Sequence, residues 1–323
     1  MSTQAAVAKK HTDDLSTVFL TGATGYIGGT VLQKLIDLSD RPSLITTLVR
    51  DPKKANSIKT LAVPKGTVIQ TLVGSLGDLE KLIKAAEEHH VIISTANADD
   101  LGAMEAIFEG MKRRKARTGQ TSLLIHTSGT GQLVDDAKGM YAGDVVYTDL
   151  KAEPEASVTT GLVAIDTLPD TAMHRNVDLA IISADIAGHC KSFIISPASV
   201  WGQPSGKLFD LGITNPFSLH IPGLIRTALD RSQAGMVGEG LNIWPHVHIS
   251  DIGDLYTLIY SKAIRDDMNL DHGISGFYFG TAGEWDTLSV AQQIGSTVLA
   301  KGWAKSAKPS LYTPEELNKY FGG

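Results

Sequence analysis

The sequence predicts an α/β protein built on a doubly wound parallel sheet, with a smaller substrate lobe towards its C-terminus. From residue 16 to residue 195, short apolar segments rich in β-branched residues alternate with segments of helical periodicity. A turn with three glycines joins the first strand to the first helix. After residue 196 glycine, proline and aromatic residues become more frequent, which is typical of a second and less regular unit.

The first strand, turn and helix occupy the segment "STVFLTGATGYIGGTVLQKLIDLS". Gly22, Gly25 and Gly28 form G-x-x-G-x-x-G, one residue longer than the dinucleotide fingerprint G-x-G-x-x-G. Glycines allow a sharp turn and a close backbone approach, and the free N–H groups of the new helix point at a pyrophosphate. The segment therefore predicts a dinucleotide cofactor at this turn.

The alternation continues through four more strands and their connecting helices. The strands are expected in "SLITTLVR", "GTVIQTLVGSL", "HVIISTAN" and "TSLLIHTSGTG", and the later helices in "DLEKLIKAAEEH" and "LGAMEAIFEGMKRRKA". Ligands of such sheets bind beyond the carboxyl ends of the strands, so the polar side chains at strand ends are the candidates for binding. Those side chains are Ser94, Thr95, Thr127 and Ser128.

The end of the second strand predicts the type of cofactor. It ends in Arg50, which can hold the 2′-phosphate of NADP, whereas an acidic residue there would bind the ribose hydroxyls of NAD. We therefore expect NADP. NAD is the alternative, because Asp51 follows directly.

Composition narrows the class of function. The chain has 323 residues, of which 42% are hydrophobic and 20% are charged, so it can bury a substantial core. A formal net charge of -6 argues against binding to nucleic acid or to anionic membranes, because phosphate binding depends on clustered Lys and Arg. The basic run at 112–117 is interpreted as the solvated end of a helix.

The N-terminal segment and the cysteine usage favour a cytoplasmic protein. Residues 1–15 lack the apolar core of a signal peptide and are expected to form a flexible tail. No apolar stretch is long enough to cross a bilayer. Cys190 is the single cysteine, cannot form an internal disulfide, and is interpreted as a packing residue.

Several segments, taken in order, resemble one enzyme superfamily. They are "TGATGYIGG", "LVRDP", "VIISTAN", "LIHTSGTG", "SFIISPASVWGQPSG" and "WPHVHISDIGDLYTLIY". From about residue 16 to the C-terminus the chain is similar to the short-chain dehydrogenase/reductase superfamily, in its extended and atypical branches, which include epimerase/dehydratase-like and NmrA-like proteins. The resemblance implies a Rossmann fold that binds NAD or NADP.

The resemblance also implies roles for individual residues. Thr24, Tyr26 and Ile27 would contact the cofactor phosphates, and Asp78, or Ser75 with Leu76, would lie near the adenine. Ala96 would lie near the ribose, Ser128 at the catalytic serine position, and Pro197 to Val200 beside the nicotinamide. With the glycine turn and the strand ends, the expected cofactor-binding residues are Gly22, Thr24, Gly25, Tyr26, Ile27, Gly28, Arg50, Asp78, Thr95, Ala96, Ser128, His174, Pro197, Ser199 and Val200.

Members of that superfamily use a Tyr-x-x-x-Lys pair for proton chemistry, and Tyr147 and Lys151 have this spacing. The pair functions one helical turn apart on a long helix. Pro154 and Gly161 argue against such a helix here. We therefore interpret the spacing as coincidental, with Tyr147 and Lys151 as the less favoured catalytic candidates and with 131–169 as an inserted loop near the site.

The helix that precedes the sixth strand is expected in "LPDTAMHRNVDLAIISADIAG". Asp170 or Thr171 would cap its start, and Gly188 would end it. Counting back from the sixth strand places His174 near the superfamily's catalytic positions. His174 could donate a proton or bind the cofactor, with Asp178 orienting it, or it could simply bond a backbone carbonyl.

The expected domains are a dinucleotide-binding domain at 16–195 with 246–270, and a substrate lobe at 196–245 with 271–323. Four aromatic residues of the lobe suit an apolar, bulky ligand or the lobe's own core: Trp201, Phe209, Phe217 and Trp244. His246, His248 and Asp251 have the spacing of metal ligands but lie in a segment that is structural in the superfamily. No metal is expected.

These observations favour an NADP-dependent reductase or dehydrogenase that acts on a small, apolar carbonyl, enone or imine, with Ser128 and His174 as its catalytic residues. A non-catalytic redox sensor of the NmrA type is the first alternative, and an epimerase or dehydratase with retained NAD is the second. The expected partner is a small-molecule substrate, and the protein could be a monomer or a homodimer.

Overall fold

The computed structural model describes residues 16–150 and 162–322. The expected flexible tail at 1–15 and the candidate Lys151 therefore lie outside the described residues. Within the described ranges, no helix combines the length and the apolar character that a membrane span requires.

The architecture is organised around a central sheet of seven parallel strands, as the sequence predicts. Its order is β12-β8-β5-β4-β1-β2-β3. The strands are β1 (Thr17–Thr21), β2 (Leu44–Val49), β3 (Val68–Val73), β4 (Val91–Ser94), β5 (Ser122–Thr127), β8 (Cys190–Pro197) and β12 (Phe277–Gly280). The chain order reverses between β1 and β4, which is where ligands of doubly wound sheets bind.

Helices cover both faces of this sheet. One face carries α1 (Tyr26–Asp37), α2 (Pro52–Lys59) and α8 (Ile249–Ala263), and the other carries α3 (Leu79–Glu88), α4 (Leu101–Thr118) and α5 (Arg175–Ile186). Successive side chains of β5 point to opposite faces of the sheet. Leu123 and Ile125 pack beneath α1 and α8, whereas Leu124 packs beneath α4 and α5. His126 and Ser128 follow Leu124 in this alternation and so project towards α5.

The remaining described elements are short strands, which form smaller sheets, and further helices. A second sheet has the order β13-β11-β9, formed by β9 (Ser199–Trp201), β11 (Ile243–His248) and β13 (Gly283–Asp286). Two smaller pairs join β6 (Val146–Thr148) to β7 (Leu162–Ala164) and β10 (Gly235–Met236) to β14 (Ser310–Leu311). The helices here are α6 (Lys207–Asp210), α7 (His220–Arg231), α9 (Thr287–Ala300) and α10 (Pro314–Phe321).

Two predictions about element boundaries were wrong. β12 pairs with β8 at the edge of the central sheet, although 271–323 was assigned to the lobe. This strand has four residues and so has little periodicity, but Phe277 is 2% exposed and packs in the core beside α5. The helix α5 begins at Arg175, with neither Asp170 nor Thr171 as its cap, because His174 adopts a left-handed conformation with a φ of +66°.

Two other interpretations were only partly right. The basic run at 112–117 does end α4, but Arg114 is fully buried, so the run is not a uniformly solvated surface. The segment 131–169 does not lack structure, since it contains β6, β7 and the short 3-10 turns Thr130–Leu133 and Ile165–Thr167. The cysteine was interpreted correctly, because Cys190 is 1% exposed and burial raises the pKa of its thiol.

Candidate functional site

The glycine turn between β1 and α1 has the geometry that a dinucleotide requires. Gly22 has a φ of +81°, a conformation that side chains disfavour. A Cβ atom on Gly28 would lie 2.2 Å from the Gly22 carbonyl oxygen, so only glycine fits at this crossing. Gly25 precedes α1 without any side-chain cap, and the first turn of α1 carries no acidic residue. The helix N-terminus is thus left for an anionic group, and the residues present fit a bound pyrophosphate.

The polar side chains at neighbouring strand ends fasten the strands to one another. Thr95 Oγ1 donates a hydrogen bond of 2.7 Å to the Thr21 carbonyl, and Thr127 Oγ1 donates one of 2.9 Å to the Ser94 carbonyl. A Cβ on Gly28 would lie 2.3 Å from Thr95 Oγ1, so Thr95 lies against the glycine turn. Ala96, the next residue, is exposed at the same edge.

The turn after β2 separates the two residues on which the choice of cofactor depends. Arg50 is exposed at the strand end. The carboxylate of Asp51 accepts a hydrogen bond of 2.8 Å from the backbone N–H of Lys53 and thereby caps α2. The acidic side chain is therefore engaged within its own helix, while the guanidinium faces solvent.

Asp78 holds the loop before α3 together. Its carboxylate accepts hydrogen bonds from the backbone and the hydroxyl of Ser75, at 2.7 and 3.1 Å, and forms a salt bridge of 3.2 Å with Lys81. The hydrogen bonds with Ser75 and Lys81 lower the pKa of this carboxyl. A contact of Asp78, Ser75 or Leu76 with adenine stays a prediction.

Three residues expected near the cofactor phosphates connect the glycine turn to the second sheet and the core. The Tyr26 hydroxyl donates a hydrogen bond of 2.7 Å to the Gly202 carbonyl, just beyond β9, and burial raises the pKa of this hydroxyl to about 12. The Thr24 carbonyl accepts a hydrogen bond of 3.0 Å from the Asn215 backbone. Ile27 packs against the core beneath α1.

A buried serine and carboxylate form the inner part of the candidate active site. Ser128, directly after β5, donates a hydrogen bond of 2.8 Å to Asp178 Oδ2 on α5. Ser128 is 6% exposed and Asp178 is fully buried. Burial raises the pKa of the Asp178 carboxyl to about 6, and the bond from Ser128 opposes that rise. This carboxyl therefore holds a proton nearer to neutral pH than an ordinary aspartate.

A histidine and a second carboxylate form the outer part. His174 Nδ1 lies 2.6 Å from Asp99 Oδ1, and 16% of the histidine side chain is exposed. A Cβ atom added to Gly129 would lie 3.2 Å from Nε2, so this nitrogen faces the turn that follows Ser128. The expectation that Asp178 orients His174 was wrong, because Asp99 bonds the ring and Asp178 bonds Ser128. The alternative of a bond to a backbone carbonyl was wrong for the same reason.

A second histidine lies beneath this pair. His126, on β5, is fully buried, and burial followed by the charge of His174 lowers the pKa of its ring to about 3. It is therefore neutral at pH 7. Sequence reasoning missed His126 and Asp99, although both stand at or just after strand ends, where ligand-binding side chains are expected.

The structure places Tyr147 in a short strand and not on a helix. Tyr147 belongs to β6, and its ring packs against the core beside α4 and α5. The superfamily's pair lies one turn apart on a helix, whereas Tyr147 belongs to a strand, and the interpretation of the spacing as coincidental stays a prediction.

The residues expected beside the nicotinamide lie where β8 passes into β9. The Thr130 hydroxyl donates a hydrogen bond of 3.3 Å to the carbonyl of Pro197, the last residue of β8. Ser199 Oγ lies 2.9 Å from His220 Nδ1. The Val200 side chain packs into the core. This segment therefore runs beside the turn that follows Ser128.

The histidines with metal-ligand spacing have other partners. Trp201 Nε1 donates a hydrogen bond of 3.1 Å to His246 Nδ1, and His248 Nδ1 accepts one of 3.2 Å from the Ser250 backbone at the start of α8. The candidate ligand aromatics are divided between surface and interior. Trp201 and Phe217 are 45% and 61% exposed, while Phe209 and Trp244 are partly buried.

Comparison with known proteins agrees with the geometry of the glycine turn. Residues 22–157 match a family model described as NAD(P)H-binding. This segment of the chain is therefore similar to an NAD(P)H-binding domain. Among curated proteins, it is similar to oxidase ucsJ from Acremonium sp, with 28% identity over 298 residues that cover 88% of this chain and 79% of that protein.

Solved structures show the same fold. Yeast methylglyoxal/isovaleraldehyde reductase Gre2, complexed with NADPH, aligns with a TM-score of 0.56 and 11% identity over 95% of this chain and 92% of that one. UDP-glucose 4-epimerase from Thermotoga maritima, solved with UDP-glucose, aligns with a TM-score of 0.55 and 13% identity over 93% of this chain and 87% of that one. The chain thus shares its fold with this reductase and this epimerase.

Proposed function

We propose that the protein is an NADP-dependent oxidoreductase that reduces a small, apolar carbonyl, enone or imine compound. The observation that carries the proposal is the pairing of Ser128 with Asp178 and of His174 with Asp99, at the carboxyl ends of β4 and β5 and beside the glycine turn. A related protein is named as an oxidase, and a protein of the same fold as a reductase, which supports redox chemistry here.

The bound cofactor would supply the hydride, and the protein would supply the proton. Reduction of a carbonyl adds a hydride to carbon and a proton to oxygen. Because Asp99 bonds Nδ1, it would fix the orientation of the His174 ring, and Nε2 would carry the proton that passes to the substrate oxygen. The partly exposed ring then recovers a proton from solvent.

Ser128 and Asp178 would hold the substrate oxygen while that proton moves. The Ser128 hydroxyl can turn towards the substrate when Asp178 is protonated, because the Asp178 hydroxyl then becomes the donor to Ser128 Oγ. The high pKa of the buried carboxyl makes this arrangement accessible near neutral pH. In this mechanism a buried acid and an outer histidine replace the tyrosine and lysine of related enzymes.

The preference for NADP is supported by the turn after β2. Arg50 is exposed there, and its guanidinium can pair with a 2′-phosphate in two parallel hydrogen bonds. Asp51, which would favour the ribose of NAD, already caps α2. The argument for NAD from Asp51 is thereby weakened.

The test combines calorimetric titration of NADP(H) and NAD(H) with NADPH consumption against a panel of carbonyls, enones and imines. We expect His174→Ala to lower kcat by about 100-fold or more, since positioned acid catalysis contributes that much. The matched variants Tyr147→Phe and His189→Ala should keep kcat within about twofold, because neither side chain is placed at the proposed site.

Three outcomes would contradict the proposal in different ways. Loss of turnover in Tyr147→Phe with retention in His174→Ala would restore the tyrosine as the catalytic residue. Tight NADPH binding without turnover across the panel would favour the redox sensor. A tightly retained NAD in the purified protein would favour the epimerase or dehydratase.

A further inference from the structure

One face of the sheet β13-β11-β9 carries polar and aromatic side chains in register. Ser199 pairs with His246, and Trp244 pairs with Trp285 across the strands. Val247 lies on the opposite face and packs into the core. Because side chains alternate along a strand, Ser199, Trp244 and Trp285 share the face that points away from the core.

His220, the first residue of α7, packs against this face. Its Nδ1 lies 2.9 Å from Ser199 Oγ, and its ring lies 4.9 Å from Trp244 and 5.3 Å from Trp285, measured between centroids. The two indoles are 6.5 Å apart and nearly parallel, at 17°. We call Ser199, His220, Trp244 and Trp285 the aromatic box. All four side chains are partly exposed, so the box is not a closed core.

Two segments of chain connect the aromatic box to the glycine turn. The segment that leads into His220 starts at the glycine turn, where the Asn215 backbone donates to the Thr24 carbonyl at 3.0 Å. The strand that carries Ser199 ends beside Gly202, whose carbonyl accepts from Tyr26. Along each segment, the aromatic box is therefore only a few residues in sequence from a residue that bonds the glycine turn.

Three large apolar side chains near Ser199 and His220 in sequence are exposed. Leu219 is 83% exposed, Phe217 is 61% exposed and Trp201 is 45% exposed. Exposed apolar side chains grouped beside a partly buried polar pair are typical of ligand sites. The arrangement combines aromatic surfaces with His220, whose Nδ1 is engaged by Ser199 and whose Nε2 is the second polar atom of the ring.

We propose that the aromatic box is the substrate-recognition site and that it selects a planar aromatic carbonyl compound over a saturated one. The indoles of Trp244 and Trp285 contact the substrate ring, and His220 Nε2 hydrogen-bonds a polar substituent. Aromatic pairs gain stabilisation beyond simple burial, which an aliphatic ring of equal size does not obtain. The assignment of the ligand as a substrate rests on the proposed function, whereas its binding does not.

The test is calorimetric titration of the NADP⁺-saturated protein with benzaldehyde and with cyclohexanecarbaldehyde, which have the same number of carbon atoms. We expect benzaldehyde to bind about tenfold more tightly, as favourable aromatic contacts of this kind allow. Trp244→Leu should abolish that difference. Trp303→Leu should retain it, because Trp303 is 56% exposed and lies outside the box.

A second variant keeps the test decisive if Trp244→Leu does not fold, as judged by circular dichroism. Trp285→Leu removes the other indole of the aromatic box and should also remove most of the preference for benzaldehyde. Equal affinities in the wild type, failure of both probes to bind, or equal losses in Trp303→Leu and Trp244→Leu would overturn the proposal.

Hydride transfer separates this proposal from the proposed function. Selective binding of benzaldehyde without NADPH consumption would retain the aromatic box and contradict the reductase. NADPH consumption with equal kcat/KM for the two aldehydes would retain the reductase and contradict the aromatic box.

Discussion

Asp178 is the residue in which burial and chemistry are most closely linked. Its side chain is fully buried, its Oδ2 accepts from Ser128, and its Oδ1 has no hydrogen-bond partner among the described residues. A carboxylate in this environment loses hydration that one hydroxyl cannot replace. Ionisation of the Asp178 carboxyl is therefore unfavourable in free energy. In its protonated form, this carboxyl can donate its own hydrogen to Ser128 Oγ.

The stability of the protein should depend on pH through Asp178. Its pKa is raised from 3.8 to about 6 on folding, so the folded state binds more protons between these values. The stabilising effect of this proton is complete below pH 3.8 and is lost as pH rises through about 6. We expect wild type to lose up to about 3 kcal/mol relative to Asp178→Asn between pH 4 and pH 7.

Urea denaturation of the two proteins at several pH values measures this difference. Asp136→Asn is the control, since the Asp136 side chain is 83% exposed and should follow the wild-type curve. Parallel curves for wild type and Asp178→Asn would show that burial does not perturb this carboxyl.

Sequence reasoning selected candidate residues of the site but not their hydrogen-bond partners. It selected Ser128 and His174, which the fold brings to the same turn. It assigned Asp178 to the wrong partner and missed Asp99, because Asp99 is 75 residues from His174 in the chain. Periodicity predicts which face of an element a residue occupies, but it does not predict which element lies opposite.

At the scale of elements, the turns between strands and helices carry most of the predicted function. All the parallel strands end at the same edge of the sheet. A residue directly after a strand therefore lies at the edge where ligands bind. The glycine turn after β1 and Arg50 after β2 are both of this type. The sequence identified these turns because glycine and proline mark them locally.

The turn after β2 allows a direct test of cofactor choice. Arg50→Ala should weaken NADPH binding by about 10- to 100-fold and leave NADH binding nearly unchanged, because a charged hydrogen bond to the 2′-phosphate is lost. Lys59→Ala, at the far end of α2, is the matched control. Calorimetry with both cofactors gives the four affinities. If Arg50→Ala lost the same affinity for NADPH and for NADH, Arg50 would not bind the 2′-phosphate.

The element around Tyr147 shows why a motif has to be interpreted in its structural context. Tyr-x-x-x-Lys has chemical meaning only where both residues lie on one helix, and Tyr147 lies in β6. Pro154 and Gly161 indicated this from the sequence. The prediction of a helix starting near Asp170 failed because His174 takes a left-handed backbone conformation, which no propensity scale anticipates.

At the scale of the whole molecule, a hydrogen bond from Tyr26 connects the glycine turn to the sheet β13-β11-β9. Tyr26 follows the glycine turn and donates to the Gly202 carbonyl after β9. The pKa of about 12 keeps this hydroxyl protonated at every physiological pH. Since Ser199 lies on the same strand, the bond sets the position of the aromatic box relative to the cofactor.

Tyr26→Phe should therefore lower the free energy of unfolding by about 1 kcal/mol, because the Gly202 carbonyl loses its donor. It should also raise KM for the substrate more than it lowers kcat, since β9 is less firmly placed. Chemical denaturation and steady-state kinetics measure the two effects. Tyr141→Phe, on a ring 51% exposed, is the control. Unchanged stability in Tyr26→Phe would mean that other contacts fix the strand.

Local sequence patterns predicted the alternating architecture, the glycine turn and the candidates Arg50, Ser128 and His174. These features are local, because β-branched segments, glycine spacing and strand ends are properties of consecutive residues. The tertiary structure decided which side chains meet. Asp99 and His126 join the candidate site, and His220 joins Ser199, because parallel strands bring residues distant in sequence to one edge of the sheet.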